Sequence, residues 1–367
     1  MELDYNIISI IDILGLFQGL IFGVVLLIIG LQRKTPTLFL GLFVIFYALG
    51  LVNAILEDLG IILYYPQLET LPFEFVWLLS PLFYLYVQQL SIFSKSYPKY
   101  SILIPGIIVF ILDIIIFFQS ISVKQKIYDT FWYQMIEFIG VVFSIIVFLV
   151  IFIFITEHNI ETKNHYTSVK YKTLRWIQIF IYASAFYFLL QLTQEILDNA
   201  SLTLFISIFH VVLLYWISLN GVLQQPIKSL IPVSNKDSNT VLTERKKELK
   251  SGKYPDKELF QRIIKQVVAE ELFSKPDLTI VDISKSMNVH PKSISQSING
   301  CFHQNFNVFI NSFRVEKAKT LLDSDVSNNY SIEGIGKEVG FQSKSAFYGA
   351  FKRETGTTPS NYKNRLK

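Results

Sequence analysis

Seven long apolar runs separated by short polar breaks occupy the first 223 residues, after which the pattern changes to short amphipathic segments spaced by polar turns. The runs cover residues 7–31, 37–56, 71–93, 101–118, 131–156, 174–197 and 202–223. A hydrocarbon core of about 30 Å takes roughly 20 residues of helix to cross, so each run is read as a transmembrane helix. Barrel strands would alternate over about 10 residues, and these runs are continuous. A segment in lipid must satisfy its own backbone, which a helix does. Pro81 and Pro105 are expected to kink the third and fourth spans.

The charges divide the chain in the same way. Residues 1–223 hold 10 Lys/Arg and 14 Asp/Glu, residues 224–255 hold 7 and 3, and residues 256–367 hold 16 and 12. Mean hydropathy is +0.41 although charged residues still make up 17%, so the two solvents, lipid and water, act on different parts of the chain. Lys and Arg collect on the cytoplasmic side of a bilayer. With the N-terminus outside, Arg33, Lys34, Lys95, Lys99, Lys163, Lys170, Lys172 and Arg175 fall on inner loops, and only Lys124 and Lys126 on outer ones. Seven spans then leave the last part in the cytoplasm. The expected place is the inner (plasma) membrane of a bacterial cell, multi-pass. The first run is expected to persist rather than be cleaved, since it outlasts a signal-peptide apolar region, follows Glu2 and Asp4, and precedes Arg33 and Lys34. A lone Cys301 excludes an intrachain disulfide and a multi-cysteine zinc site.

Residues 224–255 read as a linker, opening with Gln224-Gln225-Pro226. Its basic run of Arg245, Lys246, Lys247, Lys250 and Lys253 suits either open solvent or anionic headgroups. From Asp256 onward the spacing of Leu259, Ile263, Ile264, Val267 and Val268 is that of a water-soluble amphipathic helix.

This last part carries a repeat at an offset of 52 residues: Ile280 with Ile332, Ile283 with Ile335, Met287 with Val339, Val289 with Phe341, Ile294 with Ala346, and Ile298 with Ala350. Each set describes a helix, a short turn with one apolar plug, and a second helix packing back, which is helix-turn-helix geometry. Thr279 and Ser331 repeat at the same offset as N-caps, and Asp282 completes a capping box with Thr279. Residues 307–322 read as one helix between the units, with Phe309, Ile310, Phe313, Ala318, Leu321 and Leu322 in its apolar set. At 1.5 Å per residue that helix is about 24 Å long. It is a rod on which two recognition helices can face successive major grooves about 34 Å apart.

The second helices leave polar residues that packing does not consume. In the first unit these are His290, Lys292, Ser293, Gln296, Ser297 and Asn299; in the second, Gln342, Ser343, Lys344, Ser345, Tyr348, Lys352 and Arg353. Lys292/Lys344 and Ser293/Ser345 are identical across the repeat. Amides pair bidentately with adenine, cations reach guanine or phosphate, and hydroxyls position on phosphate. The plain alternative is a solvated face of an interaction domain.

Residues 256–367 resemble the DNA-binding domain of AraC-type transcription regulators. The carrying residues are Gly340-Phe341, Ser343, Ser345, Phe347, Phe351-Lys352, Gly356, Thr358-Pro359 and Tyr362, with Phe309-Ile310-Asn311, Arg314-Val315, Ala318 and Leu321-Leu322 before them. The resemblance implies two helix-turn-helix units joined by a long helix, binding double-stranded DNA, and it says nothing about the seven spans. Gly349, in the middle of the second recognition helix, departs from the larger polar residue such domains carry there and costs about 1 kcal/mol of helix propensity.

Ionisable side chains inside spans are expensive and so are candidates for function. Asp12, Glu74, Asp113, Glu137 and Glu195 fall toward the outer halves of their helices, with His210 the basic side chain at similar depth. Together they suggest a water-accessible cavity for an ion, a proton or a small-molecule signal. The plain reading has Glu74 and Glu195 interfacial and the others protonated or bonded to Gln18, Asn53, Gln134 or Gln191. Walker, HExxH, GxSxG, kinase and Cys/His metal patterns are absent from the sequence, and the adjacent Glu157 and His158 read as a solvated pair opening an inner loop. The expected protein is all-α and not an enzyme, with no cofactor. Residues 1–223 form a seven-helix bundle, 224–255 a linker and 256–367 a cytoplasmic double helix-turn-helix domain, with a homodimer as a further expected partnership. The second class considered is a seven-helix receptor or transporter whose cytoplasmic domain contacts a protein.

Overall fold

The computed structural model describes residues 5–33, 36–91, 100–167, 173–224, 256–324 and 330–365, and among them regular structure is helical with no strand. The first ten helices are α1 (Ile7–Arg33), α2 (Thr37–Leu49), α3 (Leu51–Asp58), α4 (Ile61–Tyr64), α5 (Val76–Leu90), α6 (Ile104–Phe117), α7 (Ile121–Tyr128), α8 (Phe131–His165), α9 (Arg175–Leu197) and α10 (Ala200–Leu223). They are followed by α11 (Lys257–Ala269), α12 (Ile280–Met287), α13 (Pro291–Phe302), α14 (Phe306–Asp323), α15 (Ile332–Glu338), α16 (Lys344–Thr355) and α17 (Pro359–Arg365). The chain forms two compact units, one of Met1–Thr156 with Leu174–Lys228, the other of Glu157–Thr173 with Ser229–Lys367. The linker positions 225–255 and Lys34, Lys95, Lys99, Lys170 and Lys172 lie outside the described residues.

Among the described residues six helices are long and apolar enough to cross a membrane: Ile7–Gln32, Thr37–Asp58, Tyr100–Phe117, Phe131–His165, Arg175–Leu197 and Ala200–Leu223. The third expected span differs. Residues 71–75 are not helical, and α5 holds only 15 residues, which at 1.5 Å each is about 22 Å. Pro81 lies inside α5, whereas Pro105 sits in the first turn of α6, where its missing N–H is no loss, so it opens that helix instead of kinking it.

The first unit exposes many apolar side chains and buries several polar ones within an apolar core. Ile10, Leu14, Phe17 and Ile21 of α1 are exposed, as are Ile145, Leu149 and Ile153 of α8, while Asp12, Ser80, Asp113, Ser207 and His210 are buried. An exposed apolar area of this extent suggests association with a membrane. The core is aromatic. Phe83 of α5 has its ring centroid 5.2 Å from Phe43 of α2 and 5.1 Å from Phe180 of α9. Helices α1 and α2 meet backbone to backbone: a Cβ on Gly30 would stand 2.5 Å from the Leu38 nitrogen, and one on Gly41 2.9 Å from the Gly23 carbonyl.

The second unit has two cores strung on one helix. Phe306, Phe309 and Ile310 of α14 pack with Ile263, Ile280, Ile283, Ile294 and Ile298. Further along the same helix, Val315, Ala318 and Leu322 pack with Ile335, Val339, Phe341, Phe347 and Phe351. Asn305 starts α14 by accepting from the Val308 N–H at 3.1 Å, so the helix begins one residue before the expected 307–322 segment and ends one after it. Between the two cores lies Arg314, 2% exposed. Its guanidinium donates to the Phe273 carbonyl at 2.6 Å, the Lys275 carbonyl at 2.7 Å and Asn311 Oδ1 at 3.2 Å, and stands 5.5 Å from the Phe341 ring. Burial lowers its pKa to about 10, with Asp277 opposing, so the group is cationic at neutral pH.

Two substitutions measure these constraints by denaturant unfolding. Arg314→Ala removes the donor to the carbonyl of buried Phe273 and one of the two donors to the Lys275 carbonyl, and should cost about 3 kcal/mol or more. Gly340→Ala should cost about 1–3 kcal/mol, because its φ of 95° is left-handed and a Cβ would meet the Ser274 carbonyl at 2.6 Å.

Candidate nucleic-acid interface

Both helix pairs are closed by the same turn. The Val289 N–H donates to the Ser284 carbonyl at 3.1 Å and the Phe341 N–H to the Gly336 carbonyl at 2.9 Å, each spanning five residues. The residue before each plug is left-handed, Asn288 at φ 52° and Gly340 at φ 95°. The first helices are capped as expected: Thr279 and Asp282 form a reciprocal capping box, and Ser331 Oγ accepts from the Gly334 N–H at 3.0 Å.

Beyond the turn the repeat shifts by one residue. In the first unit His290 is itself the N-cap, its Nδ1 accepting from the Lys292 N–H at 3.2 Å. In the second, Gln342 intervenes and Ser343 is the cap, accepting from the Ala346 N–H at 3.3 Å. The offset between second helices is therefore 53, with Ile294 matched by Phe347, Ile298 by Phe351 and Ser297 by Ala350, all six buried. The expected matches of Ile294 with Ala346 and of Ile298 with Ala350 are corrected accordingly; Ala346 is exposed. Lys292/Lys344 and Ser293/Ser345 are likewise not equivalent, because one residue turns a helix by about 100°.

The exposed faces of the two helices differ. On α13, Lys292, Gln296 and Asn299 are exposed and Ser293 is half-buried; on α16, Lys344, Ser345, Lys352 and Arg353 are exposed, and Gly349 occupies the place matching Gln296. A Cβ on Gly349 would meet nothing within 4 Å, so that position is an open window in the surface. Ser297 leaves the expected set, being 2% exposed and donating to the Asp256 carbonyl at 2.9 Å. Gln342 donates to Asp277 Oδ1 at 2.6 Å, and the Tyr348 hydroxyl lies 2.9 Å from Ser360 Oγ. Lys344 pairs with Glu333, which holds the Glu333 carboxyl below its ordinary range and the Lys344 ammonium above its own. Arg353 contacts its neighbour Glu354 at 3.3 Å.

Residues 283–365 match the helix-turn-helix domain family. The domain is of the AraC type and spans under a quarter of the chain. No curated protein and no solved structure matches the chain. The AraC-type domain begins within α12 and so contains both turns, both second helices and all of α14.

In the first unit of the chain the expected sensing residues separate into two sets. Asp12, Ser207 and His210 are buried beside half-buried Tyr187: Ser207 Oγ donates to Asp12 Oδ2 at 3.4 Å, the Tyr187 hydroxyl lies 3.0 Å from His210 Nδ1, and Gln191 donates to that hydroxyl at 2.9 Å. The His210 ring stacks on Tyr47 at 4.3 Å. Asp113 accepts from the Tyr133 hydroxyl at 3.1 Å and lines an open cleft with Ile116, Trp132 and Tyr133. Glu74 and Glu137 are exposed but close enough to Asp113 to interact with it through space. Glu195 is exposed and does not belong to either set. The partners of Asp12 and Asp113 are hydroxyls, where the sequence offered amides. Asn53 instead donates to the Leu71 carbonyl at 3.4 Å.

Sequence reasoning missed the end of α8. Glu157 and His158 lie inside this helix, not in a loop, and His158 is fully buried with Thr162 Oγ1 3.3 Å from its Nε2. It also missed Arg314, which stands in the AraC-type pattern without a role. The signal was a charged residue on the apolar face of the 307–322 helix.

The contrast between Ser297 and its neighbour is measurable. Ser297→Ala should lower unfolding stability by about 1 kcal/mol through the lost bond to Asp256, whereas Gln296→Ala should stay within about 0.5 kcal/mol.

Proposed function

We propose that this protein is a membrane-tethered, sequence-specific transcription regulator that couples a signal in or outside the membrane to gene expression. The observation that carries the reading is the union, in one chain, of six membrane-capable helices with an AraC-type helix-turn-helix domain. In this reading α13 and α16 enter successive major grooves. Gln296 and Asn299 read base edges, Lys292, Lys344, Lys352 and Arg353 meet phosphate or guanine, and Ser293 and Ser345 position on phosphate. His290 and Ser343 aim the first turns as caps, with Gln342 and Tyr348 at the rim. The bare surface at Gly349 lets a phosphate backbone or base edge approach α16 closely, and leaves fewer side chains to read sequence there. Sequence discrimination therefore rests more on α13.

The membrane half has seven spans in this proposal, α5 being the seventh. A short helix suits an interior place, since Leu82, Phe83, Leu85, Tyr86 and Val87 are all buried. An outside N-terminus with residues 256–367 in the cytoplasm is supported by the basic inner loops. The signal is a proton, an ion or a small polar molecule that changes the bonding of Asp12 with His210 or of Asp113 with Glu74 and Glu137. Two copies in one membrane would raise the local concentration of paired domains, which favours action as a homodimer. Residues 1–223, 224–255 and 256–367 then serve as sensor, linker and DNA reader, with no enzymatic step.

Binding of the full chain in lipid nanodiscs to duplex DNA should weaken steeply with salt, because phosphate contacts release counterions. Replacing Lys352 and Arg353 by Ala should flatten the slope of log affinity against log salt by about 1 for each phosphate no longer neutralised. Gln296→Ala should cost about 1–3 kcal/mol on a preferred site and little on random duplex. Salt-independent binding, or none, would favour a receptor or transporter with a protein-binding domain.

A further inference from the structure

Helix α8 does not stop at the end of its apolar run. It continues through Glu157–His165 as one unbroken helix of 35 residues, and the stretch from Glu157 onward belongs to the same compact unit as the helix-turn-helix domain. The two residues after it make backbone contact with that domain. Tyr166 pairs with Thr279 as an isolated antiparallel bridge, and the Thr167 N–H and Oγ1 both donate to the Leu278 carbonyl, at 3.3 and 2.8 Å. Asn307, in the first turn of α14, donates its side-chain amide to the Tyr166 and Thr167 carbonyls. Arg314 Nη2 reaches Thr167 Oγ1 at 3.5 Å. Tyr166 and Thr167 are 2% and 5% exposed, so the contact is seated.

Its position in the domain gives it meaning. Thr279 is the N-cap of α12, Leu278 precedes it, and Asn307 and Arg314 belong to the helix that carries both cores. Arg314 is also the group that ties the loop at Phe273 and Lys275 to Phe341 in the turn of the second unit. A segment bonded to Leu278, Asn307 and Arg314 at once touches the first unit, the connecting helix and the junction between the units. We propose that residues 157–167 are a docking strut that seats on the start of α12 and on α14 and fixes the angle between the two helix-turn-helix units. A turn or a slide of α8 then alters the spacing of α13 and α16 without any linker motion. The docking and the fixed angle stand on these contacts alone; their consequence for DNA rests on the function proposed above.

The test uses the full chain in lipid nanodiscs, without DNA. Amide exchange reports seating, and spin labels at Lys285→Cys and Lys337→Cys in a Cys301→Ser background report the angle, because these exposed positions lie on α12 and α15. Asn307→Ala removes the clamp on the strut, and Thr167→Val removes the hydroxyl shared by Leu278 and Arg314 while keeping side-chain shape. Each should raise exchange of the Thr167 amide by about fivefold or more, and shift or broaden the label distance. Rapid Thr167 exchange in the unaltered chain would overturn the docking. Faster exchange in both variants with an unchanged distance would overturn the strut's hold on the angle. A chain that fails to bind DNA while showing both expected changes would contradict the functional reading and leave this inference standing.

Discussion

The second unit depends on one buried guanidinium. A charge removed from water is tolerated only where every donor is answered, and Arg314 answers its own with the Phe273 and Lys275 carbonyls and Asn311. None of these acceptors is a carboxylate, so the group acts as a multi-pronged backbone clamp instead of a member of an ion pair. Because α14 delivers Phe309 to one core and Val315 to the other, with Arg314 between them and its guanidinium 5.5 Å from the Phe341 ring, the two helix-turn-helix units share one helix and one joint. The placement of any pair of recognition helices follows from this. A fold that must present two short helices to one periodic ligand needs such a fixed joint, since each unit alone buries a small core.

The first unit solves the opposite solvation problem. In the proposed membrane setting, lipid would reward apolar side chains on the outside and make buried polar groups costly, and the buried acids and His210 have partners in Ser207, Tyr133 and Tyr187. At Gly30 and Gly41 small residues let the backbones of α1 and α2 approach closely, as in helix association where lipid is as apolar as the helices themselves. In the proposed function, the same polar groups that cost stability are the ones a signal would perturb.

What the sequence showed depended on how far each signal reaches. Continuous apolar runs located α1, α6, α9 and α10 to within a few residues, because hydropathy over 20 residues leaves little room for error. It failed at α5, where residues 71–75 are mostly apolar but Pro72 and the turn around it keep them from the helix, and at the end of α8, where Glu157 and His158 resembled a loop although they continue the helix. Caps at Thr279 and Ser331 were legible, being local chemistry. The register of the second helices was not. A constant offset of 52 is right through Val289 and Phe341, and only the extra Gln342 before the cap, visible once Ser343 is seen accepting from Ala346, turns α16 by one residue. Ser297 was misplaced because a serine on a helix has no mark that separates a solvent-facing hydroxyl from one bonded to a distant carbonyl.

Nuclease footprinting of the full chain in nanodiscs on fragmented genomic DNA tests the central claim most directly. The account predicts a preferred site with two protected major-groove stretches on one face of the duplex, about one helical turn, roughly 34 Å, apart. Uniform protection without sequence preference, or protection of a single groove segment, would contradict it.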